Sequence, residues 1–375
     1  MARIRKSKAS KFNTHVIKKL QAAVNMDPEI DLTTKLPSEY SSRLDIMRRE
    51  NAVVNDAPVD NTLRDGEDIR SAFSASDSIE IVYPPSQAVW RLLGQPLGAI
   101  TPSASLSQQL LDILHSSEII WKAPFARQKM VFRCDNNIVL KVIRNMDDYT
   151  EYTALQYLQQ HKPSVPIPEP SGLLRVNDVS LVFMTHVPSR ILAEVWPVMD
   201  LAQKTSVKEQ LSTILQNLRS LPFTAGTQFG GVGGEGCKDI RRNLRRSEIP
   251  IFTLGAFEDF LFTGPHNGGR VFVELLRQLS PSTCAQTSPA IVFTHGDLRP
   301  DNIAVEFRDG KWTITGLLDW EYSGFYPEYY EAVRCTNCLS PYEDNDWFLY
   351  LPDCVSPKAY AHWWLLDRVR ETRLV

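Results

Sequence analysis

The sequence predicts an α+β protein of two lobes, a small antiparallel β-sheet lobe followed by a larger, mainly helical one. Two β-rich runs, Met130-Val-Phe-Arg-Cys134 and Ile138-Val-Leu-Lys-Val-Ile143, flank the turn signal Asp135-Asn-Asn137, the pattern of an antiparallel hairpin. A second hairpin-like stretch leads into the apolar strand Ser180-Leu-Val-Phe-Met-Thr185, and Pro188-Ser189 then marks a turn and a boundary between lobes. Beyond that boundary the apolar residues recur mostly at helical spacing.

Taken in order, the first nineteen residues carry Arg3, Arg5, Lys6, Lys8, Lys11, Lys18 and Lys19 without one acid. A transit peptide or a nucleic-acid tail is one reading. The lack of aromatic interleaving, and the acids Asp27, Glu29 and Asp31 that soon follow, favour a solvated basic arm. Residues 1–80 as a whole are polar, rich in Ser and Asp and poorly periodic, and are expected to form a largely disordered extension. Residues 81–186 are expected to hold a helical lead-in and then the sheet lobe. Trp90, Leu92, Leu93, Leu110, Leu111, Ile113 and Leu114 supply the helical spacing of the lead-in. After the hairpin a helix should begin, with Asp147 and Asp148 in its first turn and Tyr152, Leu155, Tyr157 and Leu158 on its apolar face.

Residues 187–375 form the predicted helical lobe, with helices at 191–200, 206–220, 254–262 and 268–279, broken by a Gly-rich loop at 230–236. A short apolar run, Ile291-Val-Phe-Thr294, then leads to His295-Gly-Asp-Leu-Arg-Pro-Asp-Asn302. Strands at 303–307 and 312–318, joined by Arg308-Asp-Gly310, follow it, so this segment is a loop feeding a β-hairpin.

The totals exclude several function classes. With 43% apolar and 23% charged residues and a formal charge of −3, no global bias towards nucleic acid or a membrane surface exists. No window reaches the roughly 18 consecutive apolar residues of a membrane span, and the N-terminus lacks a secretory apolar core. A cytoplasmic location is expected, with mitochondrial or nuclear targeting left open by the basic N-terminus. Six scattered cysteines do not form a disulfide framework, and Cys335-Thr-Asn-Cys338, a single C-x-x-C, is weak as a metal or redox motif.

Phosphoryl transfer asks a protein for Mg²⁺ ligands on the phosphate oxygens, a cation on the nucleotide and an acceptor that orients the attacking hydroxyl. Asp297 can accept the hydrogen bond from a substrate hydroxyl. Asn302, on the same loop, and Asp319, at the end of the following hairpin, offer the oxygen ligands that hard Mg²⁺ prefers.

His295-Gly-Asp-Leu-x-x-x-Asn302 followed by Leu318-Asp319 resembles the catalytic loop and metal segment of the aminoglycoside phosphotransferase and choline kinase-like superfamily. The run from Asp319 to Glu331 is similar to the version found in fungal members. The resemblance implies a protein kinase-like bilobal fold and an ATP- and Mg²⁺-dependent phosphotransferase acting on a hydroxyl of a small molecule, with Asp297 as catalytic base and Asn302 and Asp319 as metal ligands. It also implies that Lys141 contacts the nucleotide phosphates, that Glu151 orients Lys141, and that Phe183–Val187, with Met184 and His186, forms the hinge against adenine. It covers roughly residues 120–335. His295 is implied to hold the loop rather than to react. Gly296 in place of the protein-kinase Arg, and Trp320-Glu321 in place of Phe-Gly, separate the chain from the H-R-D and D-F-G pattern of protein kinases.

Two features complicate this reading. Gly231-Val-Gly233-Gly-Glu-Gly236 fits G-x-G-x-x-G but lies far downstream of the Lys141 strand, where neither a dinucleotide fingerprint nor a kinase phosphate loop belongs. The phosphate loop should fall at Ala123-Pro-Phe-Ala-Arg-Gln-Lys129, which has no glycine. The alternative is therefore a catalytically weak nucleotide-binding pseudokinase or scaffold. Glu321, Glu328, Glu331, Glu343 and Asp344 are candidate partners of a cationic acceptor, or a solvated face. Trp363 and Trp364 are packing residues or part of an ammonium cage.

Overall fold

The computed structural model describes residues 8–37, 40, 44, 69–95, 106–122, 129–144, 148–239, 245–263, 268–280, 288–337, 339 and 343–374. The chain divides into two compact units, Met1–Arg64 and Asp65–Val375. In the first, helix α1 (Lys8–Met26) is followed by a 3-10 turn at Leu32–Lys35 whose N-cap Asp31 accepts the N–H of Thr33. Phe12 stacks on Tyr40, whose hydroxyl donates to Asn13 Oδ1 at 2.9 Å. Residues 8–26 are thus helical, where low apolar periodicity had suggested irregular chain.

The second unit starts with a sheet of six antiparallel strands: β1 (Ile79–Tyr83), β2 (Glu118–Lys122), β3 (Lys129–Arg133), β4 (Ile138–Arg144), β5 (Pro170–Val176) and β6 (Val179–Thr185), in the order β1-β5-β6-β4-β3-β2. The expected hairpin is β3 and β4, in register from Lys129↔Ile143 to Arg133↔Val139. Asp135 closes its turn by accepting the N–H groups of Asn137 and Ile138 at 2.7 Å, an Asx turn that makes this dipeptide region a strong reversal signal. Being central, β4 and β6 read as nearly continuous apolar runs, and Lys141 is the one charged residue buried in either. Phe132, Leu140 and Phe183 are fully buried, each contributing about 2–3 kcal/mol.

Helices α2 (Gln87–Leu92) and α3 (Leu106–Ser116) form the lead-in. Helix α4 (Thr150–His161) lies between β4 and β5 in the chain, with Tyr152, Ala154, Leu155 and Leu158 buried. Asp148 does not enter its first turn: the carboxylate sits two residues ahead of Thr150 and accepts that residue's N–H and hydroxyl. Asp147 lies outside the described residues.

Past the short strand β7 (Arg190–Ile191), the expected helix at 191–200 is only α5 (Leu192–Val195) plus a 3-10 turn at Trp196–Val198, because Pro197 interrupts it. Helix α6 (Leu201–Arg219) starts at a capping box between Asp200 and Gln203. The strands β8 (Lys238–Asp239) and β9 (Arg245–Arg246), then helices α7 (Leu254–Phe262) and α8 (Arg270–Gln278), follow. Strand β10 (Ile291–Thr294) leads into the motif. After it come the hairpin β11 (Ile303–Arg308) and β12 (Lys311–Leu317), strand β13 (Gly324–Pro327), which pairs with β10, and helices α9 (Tyr330–Arg334) and α10 (Ala361–Leu374). One apolar cluster runs from Val139 and Met184 in the sheet to Leu211 and Leu215 of α6, Leu317 at the end of β12 and Trp320 just past it, so both lobes share a core. Among the described residues no helix is long and apolar enough to cross a membrane.

Candidate active site

The motif falls between β10 and β11, as a loop fixed at both ends by sheet. Its shape depends on Gly296, whose φ of +84° is left-handed. A side chain there would collide with the main-chain carbonyl of Tyr322, so only glycine fits both the torsion and the contact. Glu331, on α9 and buried, accepts the N–H of His295 at 2.6 Å and that of Gly296 at 3.1 Å. Arg334, one turn later, donates to the Gly296 carbonyl at 3.2 Å. Burial pushes the Glu331 carboxyl up, against the pull of His295 and the two N–H groups.

His295 is buried, donates from Nε2 to the Leu318 carbonyl at 3.0 Å, and accepts the N–H of Asp297 on Nδ1 at 3.2 Å. It is thereby a strut between the loop and the end of β12. Asn302 donates through Nδ2 to the main-chain oxygen of Asp297 at 2.8 Å and to its Oδ2 at 2.9 Å. That leaves the amide oxygen of Asn302 as its remaining polar atom. Arg299 Nε lies 3.5 Å from Asp297 Oδ2.

The second half of the site is built from charge. Lys141 on β4 is 2.7 Å from Glu151 Oε2 on α4 and 2.6 Å from Asp319 Oδ1, with Glu321 Oε2 at 4.0 Å. Asp319 has a φ of +63°, which turns the chain sharply after β12. Burial alone would lower the Lys141 pKa, but Asp319, Glu151 and Glu321 outweigh it and hold the ammonium protonated well above its ordinary value. Burial alone would raise Asp319, and the charges of Lys141 and Lys129 instead hold its carboxylate at about 2. Glu151 is pushed up by burial, opposed by Lys141 and reinforced by Asp319 and Glu321.

The structure therefore brings Lys141, Glu151 and Asp319 together, and Asp297 with Asn302. Its placement of the hinge differs from the expectation. Met184 lies in the β4–β6 ladder opposite Val139 with its side chain in the core. His186 does not present its N–H to a ligand, because that group bonds the Asn137 carbonyl at 2.7 Å, and its ring Nδ1 lies 3.3 Å from Asn136 O. The N–H of Thr185 is likewise taken by Glu169. Val187 is the first residue after β6 whose N–H has no acceptor among the described residues.

Sequence reasoning missed four contributions. Lys129 forms an ion pair with Glu321, so Glu321 belongs to the charged half and not to an acceptor wall. Glu331 holds the loop. Val187, not His186, carries the main-chain N–H left unengaged after β6 among the described residues, and Lys238 is buried against the same segments. The only available signal was alternation: Lys129 pairs with Ile143 and Lys141 with Val131, so the two lysines are diagonal neighbours on adjacent strands. Of the remaining acids, Glu328 Oε1 accepts the N–H of Ala290 and Glu343 Oε1 that of Asn345. Trp363 packs edge-on against Tyr329, and Trp364 donates to Thr336. Residues 123–128 of the expected phosphate loop lie outside the described residues, as does Cys338. Cys335 is buried in the core.

Among the described residues no group of three or more His, Cys, Asp and Glu side chains forms a metal cluster. The donor set nevertheless suits Mg²⁺, which binds through one or two protein oxygens plus phosphates and water. Asn302 and Asp319 provide two such oxygens, joined through the bond from Leu318 N–H to the Asn302 carbonyl at 2.8 Å.

A two-lobed fold with a lysine–glutamate pair under the sheet and an Asp/Asn loop in the helical lobe defines a phosphotransferase. The model of the phosphotransferase enzyme family, APH, matches residues 141–351, and the chain belongs to that family. No curated protein matches it. Similar solved structures include APH(2")-IIa in a ternary complex with streptomycin and ATP, 13% identical, covering 72% of this chain and 91% of that one with a TM-score of 0.44. Another is the GDP complex of aminoglycoside 2'-phosphotransferase-IIIa, at 16% identity, 68% and 80% coverage and a TM-score of 0.44. A third is a thermostable mutant of APH(4)-Ia with AMP-PNP and hygromycin B, at 15% identity, 68% and 79% coverage and a TM-score of 0.42.

Proposed function

We propose that this phosphotransferase uses ATP and Mg²⁺ to phosphorylate a hydroxyl of a small molecule, with Asp297 as the group that orients and deprotonates the acceptor. The observation that carries this reading is the meeting of Lys141, Glu151 and Asp319 within 2.7 Å, on segments far apart in the chain, beside a loop that fixes Asp297 through Asn302. Glu151 holds the Lys141 ammonium, which neutralises charge on the departing diphosphate. Asn302 holds the Asp297 carboxylate by Oδ2, so its orientation is set before an acceptor arrives. Mg²⁺ held by Asn302 and Asp319 would supply charge neutralisation on the transferring phosphate oxygens. The N–H of Val187 is the hinge donor for adenine.

Of the acids downstream of Asp319, Glu321 and Glu331 are engaged within the site rather than held ready for a cationic acceptor. The test is ATP consumption with Mg²⁺ across a panel of hydroxyl metabolites. The wild-type protein is expected to turn over one class of acceptor, and Asp297→Ala to slow it by about 10²–10⁴-fold while keeping its thermal shift with Mg·ADP. Full turnover in Asp297→Ala would sink the assignment, and nucleotide binding with no turnover on any acceptor would favour the scaffold.

A further inference from the structure

We propose that Lys238 is a positioning residue that locks helix α4, and with it Glu151, against the segment Asp319–Glu321. The proposal rests on the phosphotransferase reading above and gives a role to the Gly-rich run that precedes Lys238. That run is a tight loop fastened to the catalytic lobe. Gly231 bridges Gly236, and Gly230 exchanges both main-chain hydrogen bonds with Phe325 of β13, at 2.8 and 2.9 Å. The neighbouring Gly324 has a φ of +149°, and a side chain there would overlap the Gly230 carbonyl.

The loop delivers Lys238 into the interior, where its side chain is 2% exposed. Its ammonium lies 2.5 Å from Asp148 Oδ2, also 2% exposed, and donates to Thr150 Oγ1 at 2.7 Å and to the carbonyl of Glu321. Of the three donors of an ammonium, two bond the Thr150 hydroxyl and the Glu321 carbonyl, and the Asp148 carboxylate lies within ion-pair distance. Thr150 is the first residue of α4, immediately before Glu151, and Asp148 lies two residues ahead of it; Glu321 lies two residues past Asp319. One turn further along the same helix face, the Thr153 hydroxyl donates to Glu235 Oε1 at 2.6 Å.

The main chain of Lys238 is equally fixed. Its N–H meets the hydroxyl of Tyr326 at 3.2 Å and its carbonyl accepts from Tyr330 at 2.9 Å. Tyr330 directly precedes Glu331, the anchor of the catalytic loop. One residue therefore connects the helix that carries Glu151, the turn that carries Asp319 and the helix that shapes the Asp297 loop. If α4 swung away from the sheet, Lys141 would lose Glu151, and Lys238 would be left as a buried charge without Asp148. That second loss opposes the swing. Lys238 touches none of the residues assigned to nucleotide or metal, so it acts through Glu151 and Asp319.

The test uses the full chain with Lys238→Met, the double variant Asp148→Asn with Lys238→Met, which leaves no unpaired charge, and the milder Glu235→Ala in the surface loop. Hydrogen exchange of the nucleotide-free protein is expected to accelerate in α4 by about tenfold in both Lys238 variants, and by about threefold in Glu235→Ala, with α6 unchanged. Titration with Mg·ADP is expected to show about tenfold weaker binding in the Lys238 variants. Glu151→Gln should weaken binding in the wild-type background but add less than about twofold to Lys238→Met, the signature of residues acting on one element. Unchanged α4 exchange in a folded variant, or losses from Lys238→Met and Glu151→Gln that simply multiply, would overturn the proposal. A wild-type protein that binds no Mg·ADP would overturn the phosphotransferase reading instead, and the exchange of α4 would still decide whether Lys238 clamps the helix.

Discussion

Around Lys141 the site is made of charge: two lysines and three carboxylates from β3, β4, α4 and the turn after β12 meet within ion-pair distance, and Lys141 and Asp319 are 178 residues apart in the chain. Around Asp297 it is made of hydrogen bonds within one loop, with Asn302 only 5 residues away, and one buried acid, Glu331, closing the loop's outer side. The charged half depends above all on Lys141, since removing it leaves Glu151 and Asp319 without their shared counter-ion. The loop half depends on backbone shape. Disturbing the first should therefore show in stability and nucleotide affinity, and disturbing the second in turnover.

The largest break in that comparison is Lys141→Met. It strands Glu151 and Asp319, and is expected to lower stability by about 3–5 kcal/mol and to abolish measurable Mg·ADP binding, read by urea unfolding and by titration. Gly296→Ala comes next, on the other side of the comparison. The left-handed torsion alone costs about 1–2 kcal/mol, and the Tyr322 carbonyl must also move, so turnover should fall steeply while Mg·ADP affinity stays within about twofold of wild type. Equal loss of both would show that the two halves are not separable.

The third prediction sharpens the role of the buried pair beneath α4. Burial would raise the Asp148 pKa, but Lys238 and the Thr150 hydrogen bonds hold it below the ordinary 3.8. A carboxylate depressed in the folded state binds fewer protons than in the unfolded chain, so its stabilisation is complete above about pH 4 and is lost as pH falls through the depressed value. Urea midpoints measured from pH 6 down to pH 3 should therefore drop more steeply in the wild-type protein than in Asp148→Asn. The smallest effect is expected from Lys129→Ala. Its side chain is 28% exposed, and a partly solvated pair contributes about 0–1 kcal/mol, so Mg·ADP affinity should change by no more than about threefold in a titration.

How far the sequence could be read follows the same division. The loop was legible because its residues are close together: His295, Asp297, Asn302 and the hairpin that returns Asp319 form one local pattern with its own turn signals. The β3–β4 hairpin and α4 were legible for the same reason, and they put Lys141 and Glu151 on neighbouring elements. Long-range partners left no such mark. Glu331 reads in sequence as one acid among several, and nothing local says that it faces two main-chain N–H groups 35 and 36 residues upstream. Lys238 follows a glycine run that imitates a phosphate loop, and its pairing with Asp148 depends on tertiary packing alone. His186 was misplaced because the β3–β4 turn, itself correctly expected, reaches across and takes its N–H.

The 178-residue separation of Lys141 and Asp319 also sets an order of assembly. During synthesis β4 and α4 leave the ribosome long before the β11–β12 hairpin exists, so the Lys141–Glu151 pair can close first, while the second counter-ion is still untranslated. Closing so long a loop is slow compared with forming local contacts. For that interval the sheet lobe carries a lysine in its centre with one acid where three will be. Its Asp148 has no lysine at all, because Lys238 also comes later. The early half of this unit therefore has interior charges balanced only by the late half, and the two lobes should gain their full stability together.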